Sequence, residues 1–102
     1  MNLIWTRQAL ERLEEIQDFI AQRSSPLIAT SFISSLIERA ETLKEFPSIG
    51  RMVPDLSRIE LRELIEGNYR IVYRLLDSSI IILTVFEGHK LLSEEEINIM
   101  IA

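Results

Sequence analysis

Apolar side chains recur at helical spacing from the start of the chain. Ala9, Leu10, Leu13, Ile16, Phe19 and Ile20 lie on one side, and Arg7, Glu11, Arg12, Glu14, Glu15 and Asp18 on the other. With Thr6 placed as N-cap, this period of 3.6 predicts an amphipathic helix. Ser24-Ser25-Pro26 then interrupts it. Proline is tolerated at the first helical position and Ser25 can cap the exposed donors, so a second helix is expected to begin here. Its apolar stripe reads Ala29, Phe32, Ile33, Leu36, Ile37, Ala40 and Leu43. It is expected to stop at Phe46, because Pro47 disfavours helical geometry in the residue before it. The two form a helical hairpin.

After Phe46 neither period holds. Residues 47–57 contain two of the three prolines and read as a loop crossing from helices to sheet. From Arg58 the pattern changes to alternation, with Ile59, Leu61 and Ile65 interleaved with charges, and Gly67-Asn68 supplies a two-residue hairpin turn. Tyr69-Arg-Ile-Val-Tyr-Arg-Leu-Leu76 is rich in strand-favouring residues, and Asp77-Ser78-Ser79 is the next turn. Ile80-Ile-Ile-Leu-Thr-Val-Phe86 is almost wholly apolar, as expected of a strand covered on both faces or lying centrally in a sheet. Asn2-Leu-Ile-Trp5 can add a short fourth strand, and Ser93-Glu-Glu-Glu96 carries the capping-box pattern of a short tail helix through Ile97, Met100 and Ile101.

The sum is an α+β fold, β-α-α-β-β-β with a short C-terminal helix. The helical hairpin packs on one face of a three- to four-stranded antiparallel sheet and leaves the other face partly open. The 102 residues suit one domain spanning 1–102.

Composition narrows the chemistry. There is no cysteine and a single histidine, which removes disulfides, thiolate metal sites, cysteine nucleophiles and histidine-rich zinc sites; only carboxylate-dominated metal sites remain and no loop has the spacing for one, so neither metal nor cofactor is expected. The N-terminus lacks a basic region followed by a long apolar run, and no stretch approaches a membrane span, which leads us to expect a soluble cytoplasmic protein with no membrane partner. The formal net charge of −5 argues against coating nucleic acid by bulk attraction. That charge is unevenly spread. Residues 51–74 hold five arginines against four acids, whereas 77–102 hold Lys90 against Asp77, Glu87, Glu94, Glu95 and Glu96.

Period two on strand 69–76 places Arg70, Val72 and Arg74 on one face and Tyr69, Ile71, Tyr73 and Leu75 on the other. A strict Gly67-Asn68 turn sets Ile65 opposite Arg70 and Arg62 opposite Tyr73, whereas a one-residue slip sets Arg62 opposite Arg74 and gathers three arginines. Arg62, Arg70 and Arg74 are therefore candidate target-binding residues, with ordinary cross-strand ion pairing as the competing account. His89 is the one side chain that titrates near neutrality without a large shift, and Glu63 and Glu87 are carboxylates able to serve as a base beside the arginines. No phosphate-cradling glycine motif or nucleophilic triad motif occurs.

The ordered set Trp5-Thr6-x-x-Ala9, Phe46-Pro47-x-x-Gly50-Arg51, Arg62-Glu63, Tyr69-Arg-Ile-Val-Tyr-Arg74 and Val85-Phe-Glu-Gly-His-Lys-Leu-Leu92 resembles the RelE/ParE superfamily of type II toxins over nearly the whole chain. The resemblance implies a small cytoplasmic toxin held inactive by a cognate antitoxin, in a hetero-oligomer with it. RelE-like members cleave mRNA on the ribosome without a metal. In that reading Arg70 matches the arginine of the Tyr-Arg strand motif, Lys90 stands where some members have a second catalytic arginine, and His89 lies in the same motif region. Several RelE-type ribonucleases carry lysines where this chain has Leu61 and Glu63, and the late catalytic tyrosine is replaced by the region of Glu94-Glu95-Glu96. ParE-like members share the fold, generally lack that set and poison DNA gyrase. The Phe-Pro-x-x-Gly-Arg and Arg62–Arg74 segments are closer to this branch, which implies gyrase as target. The alternatives are the ribosome-dependent ribonuclease and a degenerate, non-toxic module that retains antitoxin binding.

Overall fold

The computed structural model describes residues 1–54, 56–88 and 91–101. These build β1 (Asn2–Trp5), α1 (Arg7–Arg23), α2 (Pro26–Glu41), a 3₁₀ turn (Thr42–Lys44), β2 (Arg51–Met52), β3 (Leu61–Glu66), β4 (Tyr69–Leu75), β5 (Ser79–Glu87) and α3 (Glu94–Ile101). The caps read from the sequence are all in place. Thr6 Oγ1 accepts from the Ala9 N–H at 3.1 Å and Ser25 Oγ accepts from the Ile28 N–H at 3.1 Å. At the third helix, Ser93 Oγ accepts from the Glu96 N–H while the Glu96 carboxylate accepts from the Ser93 N–H, closing a reciprocal capping box. The second helix ends earlier than Phe46. Its α-helical part stops at Glu41 and tightens into the 3₁₀ turn, where the N–H groups of Glu45 and Phe46 both reach the Thr42 carbonyl.

The sheet is mixed and, among the described residues, five-stranded, in the order β1-β5-β4-β3-β2. Two features separate it from the expected antiparallel three or four strands. First, β1 pairs with β5 in parallel. Only Thr6 separates β1 from α1, so the chain keeps one heading through both, and Thr6 and Arg12 meet the carbonyls of Leu83 and Val85 in ascending order along β5. The next helix returns, β3 runs out, β4 returns and β5 runs out again, parallel to β1. Second, the crossing segment 47–57 is not wholly loop, because Arg51 and Met52 pair with Glu63 and Arg62 as an edge strand. β3 begins at Leu61 rather than Arg58. Before it the chain turns, with the Leu61 N–H on the Arg58 carbonyl and Ile59 left exposed.

The β3–β4 register is that of the strict two-residue turn: Ile65 lies opposite Arg70 and Arg62 opposite Tyr73. Gly67 takes φ 59°, the left-handed geometry that the turn needs and glycine supplies without strain. A bulge between Val72 and Tyr73 shifts the β4–β5 pairing, so Val72 meets Thr84 while Tyr73 meets Ile82. The expected open second face is in fact covered. Leu13, Ile16, Leu36, Leu43, Ile71 and Tyr73 belong to the core under the helical hairpin. Val53, Leu56, Leu61, Val72, Leu83 and Ile97 belong to a second core, closed by the segment after β2 and by α3. β5 feeds both, with Ile82 and Val85 in one and Leu83 and Phe86 in the other, as its apolar run predicts.

Tyr73 is wholly buried, so its hydroxyl must find partners inside the fold. It donates to the Pro47 carbonyl at 2.8 Å and accepts from the Gly50 N–H at 3.0 Å. A Cβ on Gly50 would lie 2.6 Å from that hydroxyl and 2.8 Å from the Glu63 carbonyl, so this turn must lack a side chain. Burial raises the Tyr73 pKa, by opposing formation of the phenolate. A tyrosine pKa raised on folding contributes stability that is complete below about pH 10 and is lost as pH climbs through the folded value. Tyr73→Phe is expected to cost about 1–3 kcal/mol in urea unfolding at neutral pH, and the loss of stability above about pH 10 should be smaller in the variant than in the parent. An unchanged alkaline slope would show that Tyr73 does not titrate against folding.

Candidate functional site

β2, β3 and β4 bring charged side chains together on the second face of the sheet. Glu63 sits directly across from Arg51 on β2 and opposite Val72 on β4, which makes Arg70 its diagonal neighbour. The Glu63 side chain is 1% exposed. Its carboxylate accepts from Arg51 Nη2 at 2.9 Å and Nε at 3.1 Å, and Arg70 Nη1 lies 3.3 Å from Oε2. One carboxylate thus joins two guanidiniums. The Arg70 side chain is 8% exposed and that of Arg51 is 53% exposed, so one cation lies in the protein and the other at its edge.

The three candidate arginines do not form one cluster. Arg62 shares the helix-side face with Tyr73 and spends its donors on backbone, giving Nη1 to the Gly50 carbonyl at 2.9 Å and to Ser48 at 3.4 Å, and Nε to Ile59 at 3.2 Å. It is a clamp on the crossing segment. Arg74 lies opposite Leu61 on the second face, next to a cavity of about 330 Å³ between Thr6, Gln8, Leu83 and Met100, and its Nε is buried without a hydrogen-bond partner among the described residues. Among the described residues, Arg70 is the one of the three that meets a carboxylate of the sheet interior. Among the candidate bases, Glu63 is that carboxylate. Glu87 lies opposite Tyr69, on the other face, and is hydrogen-bonded by its hydroxyl. Burial chiefly, and then the Glu87 charge, raise the Tyr69 pKa. His89 and Lys90 lie outside the described residues.

A cavity of about 270 Å³ opens beside Arg70 at the β3–β4 turn, lined by Ile65, Gly67, Asn68, Tyr69 and Glu87 as well. Arg58 ties the segment before β3 to α3, reaching Glu60 at 2.6 Å and Glu94 at 3.1 Å, and holds the Glu60 pKa below its usual range. Among the described residues no three His, Cys, Asp or Glu side chains converge to hold a metal, and no helix is long and apolar enough to cross a membrane. The partner that sequence reading missed is Arg51. The signal for it was a carboxylate at Glu63 standing in the alternating row Leu61, Glu63, Ile65, where an inward charge demands a counter-ion.

The family model described as the ParE toxin of the type II toxin-antitoxin system parDE matches residues 3–92. The chain belongs to the ParE toxin family. It is the toxin of a type II toxin-antitoxin system, within the wider RelE/ParE superfamily. Two solved structures share the fold of this ParE-family toxin. A chain of the chromosomal ParDE system from P. aeruginosa is 24% identical with a TM-score of 0.75, over 87% of this chain and 97% of that one. A chain of the RelBE2 toxin-antitoxin complex from Mycobacterium tuberculosis is 20% identical with a TM-score of 0.61, over 84% and 95%. No curated protein sequence matches significantly.

For this toxin the buried ion pair sets a clear energetic expectation. Arg70→Met removes one partner of a desolvated carboxylate and is expected to cost about 3–5 kcal/mol. Arg51→Met removes a half-exposed one and is expected to cost less than about 1 kcal/mol. Urea unfolding of the two variants checks the order. Equal costs would mean that Glu63 does not depend on Arg70.

Proposed function

We propose that this toxin acts on a protein target, DNA gyrase, and is neutralised by a cognate antitoxin bound in a hetero-oligomer. The observation that carries the gyrase reading is Arg70. In the ribonuclease alternative this arginine would have to meet an RNA phosphate, yet it is 6% exposed and lies against the Glu63 carboxylate. A phosphate approaching there meets a cation already matched by an anion, at a cost in desolvation. A protein target needs no such access, and an acidic chain is no obstacle to it. Purified toxin without antitoxin is expected to inhibit supercoiling by gyrase and to leave mRNA intact on ribosomes. Unchanged supercoiling together with ribosome-dependent cleavage would replace this reading with the ribonuclease. Normal growth on expression of soluble toxin alone would replace it with the non-toxic binding module.

The antitoxin reading rests on the family and on the two structural relatives, which come from toxin-antitoxin systems. The helical hairpin leaves Leu10, Phe19, Leu27, Ile28 and Ile37 exposed, and β1 forms one edge of the sheet. An amphipathic helix laid on the hairpin and an extended segment at the sheet edge are the two modes that such surfaces support. Hydrogen–deuterium exchange of the complex is expected to protect the backbone of α1 and β1. Protection confined to α3 would place the antitoxin elsewhere.

A further inference from the structure

We propose that the cavity between the start of α1 and the end of α3 is a carboxylate-binding site, and that it receives a carboxylate of the antitoxin. The proposal deepens the antitoxin reading, on which it rests, by naming one contact and its chemistry.

The cavity holds about 330 Å³. Its polar wall is made of Thr6, Gln8 and two guanidiniums, Arg7 from α1 and Arg74 from β4, and among the described residues no acid lines it. In a chain of net charge −5, that wall inverts the average of the surface. Arg74 is fixed by its strand. It lies opposite Leu61 on one side and Ile81 on the other, so its stem stands between apolar neighbours, and its Nε is buried without a hydrogen-bond partner among the described residues. A buried donor on a cation is costly to leave unmatched, and a carboxylate is the acceptor that a guanidinium fork fits. Glu60 feels the Arg74 charge, but its pKa is lowered first by Arg58, which holds its carboxylate at 2.6 Å. The Thr6 hydroxyl is spent on the Leu83 carbonyl at 3.2 Å. Arg7 is exposed, so the second cation is reachable from solvent. Leu83, Ile99 and Met100 supply an apolar wall, which suits a carboxylate carried on an aliphatic stem. Position points to the antitoxin as its source. Thr6 joins β1 to α1, the two elements on which the antitoxin is placed, so a segment following the outer edge of β1 arrives at this cavity where the strand ends. In such strand addition the main chain gives affinity and side pockets give specificity.

The probe is hexanoate, with hexanamide as its uncharged counterpart, titrated into isotope-labelled toxin while the amide signals of Thr6, Leu83 and Met100 are followed by NMR. Hexanoate is expected to shift them saturably and hexanamide to leave them in place. Arg74→Gln is expected to weaken hexanoate binding roughly tenfold. Arg23→Gln removes an exposed arginine at the far end of α1, makes the same change in net charge, and is expected to bind like the parent. Should Arg74→Gln fail to fold, Arg7→Gln takes its place, with an expected loss of about threefold. No saturable shift, an equal response to hexanamide, or no greater loss in the cavity variant than in Arg23→Gln would overturn the proposal. Hexanoate is then titrated into the purified toxin–antitoxin complex, where the three signals are expected no longer to respond. A complex whose cavity still takes hexanoate sinks this proposal and keeps the antitoxin. No complex on size-exclusion chromatography removes the antitoxin reading, and this proposal with it.

Discussion

A phenol buried in the middle of a strand has to be answered by polar groups that come to it, and in this toxin the answer organises one whole edge of the sheet. The Tyr73 hydroxyl takes the Pro47 carbonyl and the Gly50 N–H, so the chain leaving the helical hairpin is pressed against β4 with no room for a side chain at Gly50. Arg62, opposite Tyr73 on the same face, holds the carbonyls of Ser48 and Gly50 from β3. Held at both ends of the turn, the next two residues have one place to go, which is the free edge of β3. That is where β2 forms and where Arg51 meets Glu63. The Pro47-x-x-Gly50-Arg51 sequence is therefore one device: a carbonyl and an N–H for the phenol, a missing Cβ for clearance, and a cation delivered to a buried acid.

The same edge explains why a charged residue is tolerated inside. A two-residue strand whose side chains are both exposed gains little from packing, so its position needs another directional contact. The Arg51 fork on Glu63 provides it, while Arg70 on the inner side supplies the second counter-charge that a carboxylate at 1% exposure requires. Removing Arg70 leaves the buried Glu63 carboxylate short of its inner counter-charge, whereas Arg51 stands at the solvent edge.

Much of this was legible from the chain. Helix caps, the helical hairpin, the two-residue turn and its register, and the double-sided burial of β5 follow from local rules that the sequence obeys without conflict. Three features were not. The parallel pairing of β1 depends on the absence of a reversal at Thr6, a matter of three-dimensional path rather than of period. The edge strand at Arg51–Met52 is too short to show alternation and sits among prolines. The coverage of the second face depends on α3 folding back, which its eight residues, with Ile97 and Met100 as inward positions, do not announce by spacing alone. For the site, the residue types were visible but their grouping was not. Arg62, Arg70 and Arg74 share a composition and a strand pair, yet strand pleat sends the first to one face and the other two to the opposite one.

That separation carries a general point about arginines on sheets. A guanidinium can be a site for an incoming anion or a counter-ion for a resident one, and its own burial does not decide which. Arg62 and Arg70 both look like anion-binding candidates in one dimension. In three, Arg62 is used up by carbonyls and Arg70 by a carboxylate from the neighbouring strand, whereas Arg74 has an Nε buried without a hydrogen-bond partner among the described residues. What distinguishes the roles is the set of groups each side chain meets, and for Arg70 that set includes Glu63, its diagonal neighbour on β3.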